Sequence, residues 1–424
     1  MRRGEIMGEM SGEERSDADF GRPLDGVRVL AIEQLQALPV ATQMMVRMGA
    51  EVVKLEPPGN GESGRQSLPA ITDKSGRKAG ATFLRYNLGK RSIAVNLKSE
   101  QGRQVMLDLV PHFDVVCENL GPHRADKLGI GYPVLDAINP RIIVASLSGF
   151  GNVGESPYTE WPAFAAVAEA MSGIYEYSRR PHQLPVMNPL GGVGDTGTGL
   201  FALIGILAAL RHRDVMGRGQ YIDVSMFDTM ISICDLVPNF WSLGIVRDPD
   251  KELRVPLLTT SFQASDGWFM MSVIRRHQFE RLAELVGHLE WLDDERLNDQ
   301  WGWVDHLEDV IRPAVEAWAG DKTKREAAQL LAEAKIAAAP GNSAVDLIDD
   351  PHVVSHRMLV EIERTDGVEQ PVLIAGNPVK MSRLAEGPEG DFPTVGEHTD
   401  EVLREYLDLD DPTLERLRFE GAIA

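Results

Sequence analysis

The chain has 424 residues and an ordinary globular composition, with 43% hydrophobic and 25% charged residues. This length accommodates two or three domains with substantial cores. The formal net charge of −21 argues against a protein that binds nucleic acid or an anionic membrane surface, because both functions need a cationic face.

Residues 1–21 combine low hydrophobicity with mixed charge and lack an apolar signal core, so we expect a disordered or loosely attached tail and no secretion signal. No uninterrupted apolar run approaches ~18 residues, so the sequence predicts no transmembrane helix. The two cysteines, Cys117 and Cys234, are too few for a disulfide framework or a zinc site. Both lie in apolar segments, and we interpret them as buried thiols of a protein in a reducing cytoplasm.

From Pro23 onward, short apolar runs of strand type alternate with helical patterns. Strands are predicted at residues 27–32 and 51–56 and in the segments RSIAVNL, DVVCENL, RIIVASLSGFG and YIDVSMFD. Helical patterns lie between them, in PVATQMMVRMGA, SEQGRQVMLDLVPH and YPVLDAIN and at residues 198–213. Such alternation is typical of a parallel sheet covered by helices on both faces, so residues 22–228 are assigned to a large α/β domain.

The pattern changes after Asp228. Residues 229–244 are predicted to form a linker helix. Residues 245–344 contain the strand signal DGWFMMSVI and two amphipathic helical patterns, which indicate a smaller α+β domain. Residues 345–424 then return to strand and helix signals.

The segment GGVGDTGTG, residues 191–199, contains a literal G-x-G-x-x-G and runs into an apolar helical pattern. A dinucleotide-binding loop should follow a strand, whereas this one follows a proline-rich approach, and the turn of the first strand–helix unit has no glycine. Nicotinamide or flavin binding is therefore disfavoured. Two interpretations of Asp195 remain: it caps a helix that begins near Thr198, or the glycines let an acyl carbon approach a reactive carboxylate whose charge the helix N-terminus stabilises.

A basic island lies at residues 81–99, which include Arg85, Lys90, Arg91 and Lys98 and no acid. In a chain that is acidic overall, such an island indicates a small anionic ligand.

Seven segments in order over residues 23–409 resemble the family III CoA transferases, the group that contains formyl-CoA transferase and is related to the α-methylacyl-CoA racemases. The segments are PLDGVRVLAIE, MGAEVVKLEPPGNGE, YNLGKRSIAVNLKSEQGR, VVCENLGPHRADKLGIGY, PRIIVASLSGFG, GDTGTGLFALIGILAALRHRDVMGRGQYIDVSMFD and PTVGEHTDEVL.

The resemblance implies that Asp195 is the nucleophile. It would attack the donor thioester to form a mixed anhydride, and the released CoA thiolate would convert this anhydride to an aspartyl-CoA thioester. A free carboxylic acid would then take over the CoA through a second anhydride. This is covalent catalysis by a carboxylate, which should stay ionised at the helix N-terminus.

The resemblance also predicts where CoA binds, as a substrate and product rather than a tightly bound cofactor, with no metal site. Lys90, Arg91 and Lys98 are expected to contact its phosphates, and Lys127 the nucleotide. The other expected contacts lie in the first turn, Gln34, Leu35, Gln36 and Ala37, and in a second loop, Asn119, Leu120 and Gly121, where Asn119 and Gly121 would lie close to the pantetheine arm.

The fold implied by the resemblance is a Rossmann-like large domain built from both chain ends, with residues 345–424 returning to it, and a small domain between. Two ring-shaped subunits would interlock as a homodimer. The partners implied are an acyl-CoA and a small carboxylic acid, with no nucleic acid and no membrane.

The chain departs at several positions from the enzymes that it resembles. Related racemases use a histidine–aspartate pair where this chain has Phe164 and Ala165, neither of which moves a proton, so an acyl-CoA racemase or epimerase is the alternative function and is disfavoured. The glutamate with which formyl-CoA transferase contacts its acid is also absent at Ala165, so the oxalate–formate pair is disfavoured. A non-catalytic CoA-ester binder would not need Asp195. Two interpretations of Arg275 and Arg276 remain open: they bind the second carboxylate of a dicarboxylic substrate, or they form an exposed basic pair at a helix start.

Overall fold

The structure, a computed structural model, describes residues 21–177, 179–187, 192–246, 248, 250, 255–382 and 390–424. The predicted tail, except Gly21, lies outside the described residues. Packing contacts divide the chain into two units. The first comprises the described residues up to Tyr175, Met187–Asp235 and Arg357–Ala424, and the second comprises the described residues of Glu176–Val186 and Leu236–His356.

The strands are β1 (Arg28–Ile32), β2 (Glu51–Glu56), β3 (Ala70–Thr72), β4 (Lys78–Gly80), β5 (Arg91–Ala94), β6 (Val115–Glu118), β7 (Ile143–Ser148), β8 (Tyr221–Ser225), β9 (Leu258–Ala264), β10 (Gly267–Val273), β11 (Ala337–Pro340), β12 (Leu359–Ile362) and β13 (Val372–Ala375). The α-helices are α1 (Ala37–Arg47), α2 (Ala81–Tyr86), α3 (Glu100–Leu109), α4 (Arg124–Lys127), α5 (Tyr132–Ile138), α6 (Ala165–Ser172), α7 (Val193–Met216), α8 (Met226–Ile233), α9 (Arg276–Val286), α10 (Gln300–Asp305), α11 (Arg312–Ala319), α12 (Lys324–Glu333), α13 (Ala344–Ile348), α14 (Pro351–Ser355), α15 (Thr399–Leu407) and α16 (Asp411–Phe419).

A six-stranded sheet in the order β5-β2-β1-β6-β7-β8 forms the centre of the first unit, and every neighbouring pair is parallel. Counted along the chain, the spatial order of these six strands is 3-2-1-4-5-6, which is the Rossmann order. The prediction of an α/β fold with a parallel sheet is confirmed. The order reverses between β1 and β6, and ligands of such sheets bind beyond the carboxyl ends of the strands at this switch point.

The alternation of side chains along β1 explains why both faces of the sheet carry helices. Val29 and Ala31 point to the core formed with α1 and α7, whereas Leu30 and Ile32 point to the core formed with α3, α5, α15 and α16. All four side chains are almost fully buried. A strand buried on both faces reads as a continuous apolar run, which is why this element was recognisable from sequence.

The end of the chain lies against the edge strand β5. The backbone N–H of Ala424 donates to the carbonyl of Ala94 at 3.1 Å, and that of Asn96 donates to the carbonyl of Ala422 at 2.8 Å. The side chain of Thr399, at the start of α15, accepts from the backbone N–H of Ala94 at 3.0 Å. The last helices therefore belong to the same core as the first strands.

The second unit has an antiparallel sheet in the order β11-β10-β9. Its core is rich in aromatic side chains: the rings of Phe279 and Trp303 stack with centroids 4.6 Å apart. The buried faces of α9 and α12 are the apolar faces of the two amphipathic patterns in the sequence.

Helix α7 is long and apolar enough to cross a membrane by length and composition alone, although it contains no uninterrupted apolar run of that length. In its most apolar 18-residue window, 44% of the residues are buried inside the protein. Ala202, Leu203 and Ile206 pack into the core beside the sheet, whereas Leu200 and Ile204 are 43% and 60% exposed. A single such helix is weak support for a membrane span, because core helices of soluble proteins have the same composition.

Candidate active site

The first turn of α7 carries Asp195. The helix begins at Val193, with Gly192 as its N-cap, so Asp195 lies inside the first turn rather than before it. The expected helix start near Thr198 is wrong, because three glycines of low helix propensity lie in this turn and the next and hide the helical pattern. Thr198 lies within the helix, where its hydroxyl donates to the carbonyl of Gly194 at 2.5 Å. Asp195 is therefore not the N-cap of this helix.

The glycines around Asp195 allow close contact between helices. A Cβ added at Gly192 would lie 2.0 Å from the Cβ of Ala165 on α6, and one added at Gly199 would lie 2.3 Å from the carbonyl of Ala37 on α1. A Cβ at Gly194 would lie 3.2 Å from the Cα of Ala165. At these three positions packing between helices explains the absence of a side chain. The sequence analysis had instead interpreted the glycines as space for an acyl carbon to approach Asp195.

The Asp195 carboxyl lies in an environment that favours its protonated form. Burial first, and the charge of Glu169 second, raise the pKa of Asp195 to about 6. At neutral pH about nine in ten of these carboxyl groups are still ionised. The direction of this shift is opposite to the one expected from the helix N-terminus, and it makes Asp195 a more basic carboxylate than an exposed aspartate.

Glu169 is a site residue that sequence reasoning missed. It is 3% exposed, and its Oε1 accepts from the backbone N–H of Gly194 at 2.9 Å. Its Oε2 accepts from the hydroxyl of Tyr175. The available signal was its position as the single acid of helix α6, AAVAEAMS, whose other residues are small or apolar apart from Ser172.

The turn between β1 and α1 meets the loop after β6 at the switch point of the sheet. The backbone N–H of Gln34 donates to Oδ1 of Asn119 at 2.9 Å, and Nδ2 of Asn119 donates to the carbonyl of Gln34 at 3.0 Å. Leu35 adopts a left-handed backbone conformation with φ of 58°, and its N–H donates to Glu62 at 2.9 Å. Two of the predicted CoA-binding segments are thus joined by hydrogen bonds.

This turn also reaches the helix of Asp195. The amide of Gln36 lies 3.4 Å from the hydroxyl of Thr196, and Ala37 is a buried first residue of α1. The structure therefore brings the turn at residues 34–37, the loop at residues 119–121 and the first turn of α7 to the same end of the sheet.

A cavity of about 270 Å³ is lined by residues of β1, β6, β7 and β8 and of helices α4 and α5; residues 34–37 and Asp195 are not among its lining residues. Its lining includes Ile32, Glu118 and Ser146, and also Gly121, which has a φ of +97° and open space where a Cβ would be. Burial raises the pKa of Glu118, whose carboxyl accepts from the backbone N–H of Leu120 at 2.9 Å. A concave site at the switch point is the usual position for a nucleotide-type ligand.

Lys90 does not lie at an accessible surface. Its ammonium group is buried, 2.6 Å from Glu33 and within 2.8 Å of the hydroxyl of Thr42 and 3.1 Å of Asn87. Burial lowers the pKa of Lys90 to about 8, and the charge of Glu33 opposes this shift. A phosphate contact by this ammonium needs the buried ion pair to open, so the geometry contradicts the predicted role of Lys90.

Arg91 is held by three carboxylates. Its guanidinium lies 2.6 Å from Glu51, 2.9 Å from Glu401 and 2.8 Å from Glu405. It ties β5 to β2 and α15, and the geometry does not support the phosphate role expected for it either. The remaining predicted cations, Lys98 and Lys127, are exposed.

The two adjacent arginines of the second unit, Arg275 and Arg276, have different surroundings. Arg276 donates to the carbonyl groups of Leu297 at 2.9 Å and Leu292 at 3.2 Å, so it braces its own unit. Arg275 is exposed, and a contact with a second substrate carboxylate remains a prediction for that residue alone.

The positions that would carry proton transfer in a racemase hold apolar side chains. Phe164 is the N-cap of α6 and is 66% exposed, and Ala165 is 5% exposed. Within the described parts of the chain, no three His, Cys, Asp or Glu side chains converge on a point where a metal ion would bind.

A sequence profile described as CoA-transferase family III matches residues 24–399. The chain is 34% identical over 408 residues to the succinyl-CoA–L-malate CoA-transferase beta subunit of Chloroflexus aurantiacus, covering 95% of this chain and 98% of that protein. It is 33% identical over 387 residues to the succinyl-CoA:mesaconate CoA-transferase of Haloarcula hispanica, covering 90% and 96%. The crystal structure of a CAIB/BAIF family protein from Brucella suis matches with a TM-score of 0.77 and 28% identity, covering 91% of this chain and 100% of that one.

Proposed function

Because the chain belongs to CoA-transferase family III and is a CoA transferase, we propose that Asp195 performs the transfer as a covalent nucleophile. The observation that carries the proposal is the position of this carboxylate: it is partly buried in the first turn of α7, and the turn at residues 34–37 reaches it through Gln36 and Thr196. A carboxylate with a pKa of about 6 is ionised at neutral pH and is more basic than an exposed aspartate, which favours nucleophilic attack.

The reaction consists of two exchanges, each of which begins with attack by a carboxylate and ends with attack by the CoA thiolate. An oxygen of Asp195 attacks the thioester carbon, the C–S bond breaks, and CoA leaves as a thiolate. The thiolate attacks the Asp195 carbonyl of the anhydride and expels the donor acid. The acceptor carboxylate attacks the aspartyl thioester, and the thiolate then attacks the acceptor's acyl carbon and restores Asp195. No net proton is consumed, so the site needs no general acid for the overall exchange.

We place CoA along the switch point of the central sheet. The support is the convergence of the turn at residues 34–37 with Asn119, and the cavity beside Gly121. Lys98 and Lys127 are exposed cations suited to its phosphates.

Succinyl-CoA is the proposed donor, and a four- or five-carbon dicarboxylic acid the proposed acceptor. The support comes from the printed functions of two relatives, which use succinyl-CoA with L-malate and with mesaconate. Racemisation is not favoured, because Phe164 and Ala165 supply no acid or base.

A homodimer in the cytoplasm completes the proposal. The apolar side chains of Leu200, Phe201 and Ile204 are exposed on α7, as expected for a surface that a second copy covers. The buried free thiols of Cys117 and Cys234 suit a reducing compartment. Light scattering at micromolar concentration checks the dimer, and a monomer would contradict it.

The test of the proposed function is an exchange assay with mass-spectrometric detection. Purified protein is mixed with succinyl-CoA and, separately, malate, mesaconate, citramalate, oxalate or formate, and new CoA thioesters are measured. Without acceptor, the intact protein is examined for an adduct, which peptide mapping should locate at Asp195. The matched control is Glu415→Gln, an exposed acid on α16 that should react as the parent. Exchange without an adduct, and undiminished in Asp195→Asn, would contradict the proposed mechanism.

A further inference from the structure

Glu169 is a buried acid that the transfer chemistry above does not use. It lies on α6 and is 3% exposed, in a helix whose other residues are small or apolar apart from Ser172. A buried carboxylate needs hydrogen-bond partners to offset its loss of hydration. Glu169 has two: the backbone N–H of Gly194 reaches Oε1 at 2.9 Å, and the Tyr175 hydroxyl reaches Oε2.

We propose that Glu169 is a positioning residue for Asp195: it fixes the first turn of α7 through the Gly194 N–H and holds a second negative charge beside the nucleophile. This inference rests on the proposed function of Asp195.

The geometry of the first turn supports the anchoring role. The first N–H groups of a helix have no partner within it, and the Gly194 N–H is one of these. Gly194 precedes Asp195 directly, so a fixed Gly194 amide fixes the backbone from which the nucleophile projects. The neighbouring helices leave little room for an alternative: a Cβ at Gly192 would lie 2.0 Å from the Cβ of Ala165 and 3.1 Å from Oε1 of Glu169.

The electrostatic role follows from what surrounds this turn. The titratable groups near it include Glu169 from α6, Tyr175 from the adjoining 3-10 turn, Tyr86 from α2 and Cys234, which directly follows α8. Tyr86 also interacts with the charges of Arg85 on α2 and Arg47 on α1, while the neutral Gln36 lies before α1. Of these, Glu169 is the charged neighbour that raises the pKa of Asp195, together with burial. A more basic carboxylate is a stronger nucleophile once it is ionised, so the charge of Glu169 favours attack at neutral and higher pH.

The test measures how fast the Asp195 adduct forms from succinyl-CoA in a single turnover, from about pH 5 to about pH 8. Glu169→Gln keeps a side-chain oxygen for the Gly194 N–H and removes the charge. We expect the acid limb of the rate profile to move to lower pH by about half a unit or more, because Asp195 loses its proton more easily. On the high-pH plateau we expect an adduct rate lower by about two- to fivefold. Glu415→Gln serves as the control for a distant charge and should keep the parent profile.

Tyr175→Phe is the second variant. It leaves Glu169 in place but removes the hydrogen bond that holds its carboxylate, so we expect a smaller shift of the acid limb in the same direction. This variant decides the question if Glu169→Gln does not fold.

The outcomes separate this inference from the proposed function. A parent enzyme that forms no adduct on Asp195 contradicts the proposed function itself. A parent that forms the adduct, with Glu169→Gln showing the same pH profile and the same plateau rate, overturns the role of Glu169 and leaves that of Asp195 intact. A shifted limb in Glu169→Gln, with an unshifted limb in Glu415→Gln, supports the inference.

Discussion

The side-chain amide of Gln36 lies 3.4 Å from the hydroxyl of Thr196. Gln36 is the N-cap residue of α1 but does not cap the helix with its side chain, and Thr196 directly follows Asp195 in α7. The two residues are far apart in sequence, and their contact joins the turn at the switch point of the sheet to the turn that carries the nucleophile.

Gln36→Ala should slow formation of the Asp195 adduct while leaving the protein folded. A side-chain hydrogen bond contributes about 0.5–1.5 kcal/mol, so we expect a rate lower by about two- to tenfold. Stopped-flow or quenched-flow mass spectrometry with succinyl-CoA gives this rate. Gln104→Ala, on the exposed side of α3, is the control and should match the parent. Equal rates in both variants would show that the Gln36–Thr196 contact does not affect the reaction.

Lys90→Met should destabilise the protein strongly, because it leaves Glu33 without its nearest cation in a fully buried site. Breaking a buried ion pair on one side costs about 3–5 kcal/mol, and Lys54, 3.4 Å from Glu33, reduces this cost. Urea unfolding measures the change in the free energy of unfolding. The double variant Glu33→Gln/Lys90→Met removes both charges and should recover much of the loss. If Lys90→Met instead weakens CoA binding and leaves stability unchanged, Lys90 is a phosphate ligand after all.

Lys98→Ala and Lys127→Ala should weaken CoA binding without changing stability, because both side chains are exposed cations, Lys98 expected to meet the phosphates of CoA and Lys127 its nucleotide. Charge-assisted contacts in a partly hydrated site contribute about 1 kcal/mol, so each variant should bind CoA about fivefold more weakly by calorimetry. The difference from the parent should shrink at high salt, since exposed charges are screened. Lys78→Ala, on the exposed side of β4, is the control. Unchanged affinity in both variants would place the phosphates elsewhere.

The central sheet could be predicted because its signals are local. Strand β2 has the bounds expected from sequence, Glu51–Glu56, because a short apolar run ended by a helix stop on one side and PPG on the other has few alternatives. The start of α7 could not be predicted, since the glycines that allow its contacts with Ala165 and Ala37 lower its local helix signal.

The charges of the site were less predictable than its position. The local motif left Asp195 as either a helix cap or a reactive carboxylate, and the resemblance to a known family singled it out. Lys90 and Arg91 looked free only because their partners are distant in sequence. Glu33 precedes Lys90 by 57 residues, and Glu401 follows Arg91 by 310. A basic island in a sequence does not show whether long-range carboxylates neutralise it. Glu169 was missed for the same reason, since its partner Gly194 is 25 residues away.

The last prediction concerns the stability cost of a basic nucleophile. The pKa of Asp195 is raised from 3.8 to about 6 in the folded protein. Below the pKa of Asp195 in the unfolded protein, the carboxyl is protonated in both the folded and the unfolded state and does not change the free energy of unfolding. As pH rises between the two values, the unfolded state loses its proton first, so the folded state progressively loses stability, and above about pH 6 the full cost is present.

The side chain at position 195 cannot ionise in Asp195→Asn, so this variant does not lose stability as the pH rises through this range. Relative to the parent, Asp195→Asn should therefore gain stability as the pH rises. Its free energy of unfolding minus that of the parent should increase by about 2 kcal/mol between about pH 4.5 and about pH 7.5. Urea unfolding at several pH values measures the difference, and Glu415→Gln provides the comparison for an exposed acid, whose difference from the parent should vary little with pH. The same Asp195→Asn protein should lose CoA transfer, so a gain in stability at neutral pH would accompany the loss of function. A pH-independent difference would mean that Asp195 titrates as an exposed aspartate and that its environment does not raise its basicity.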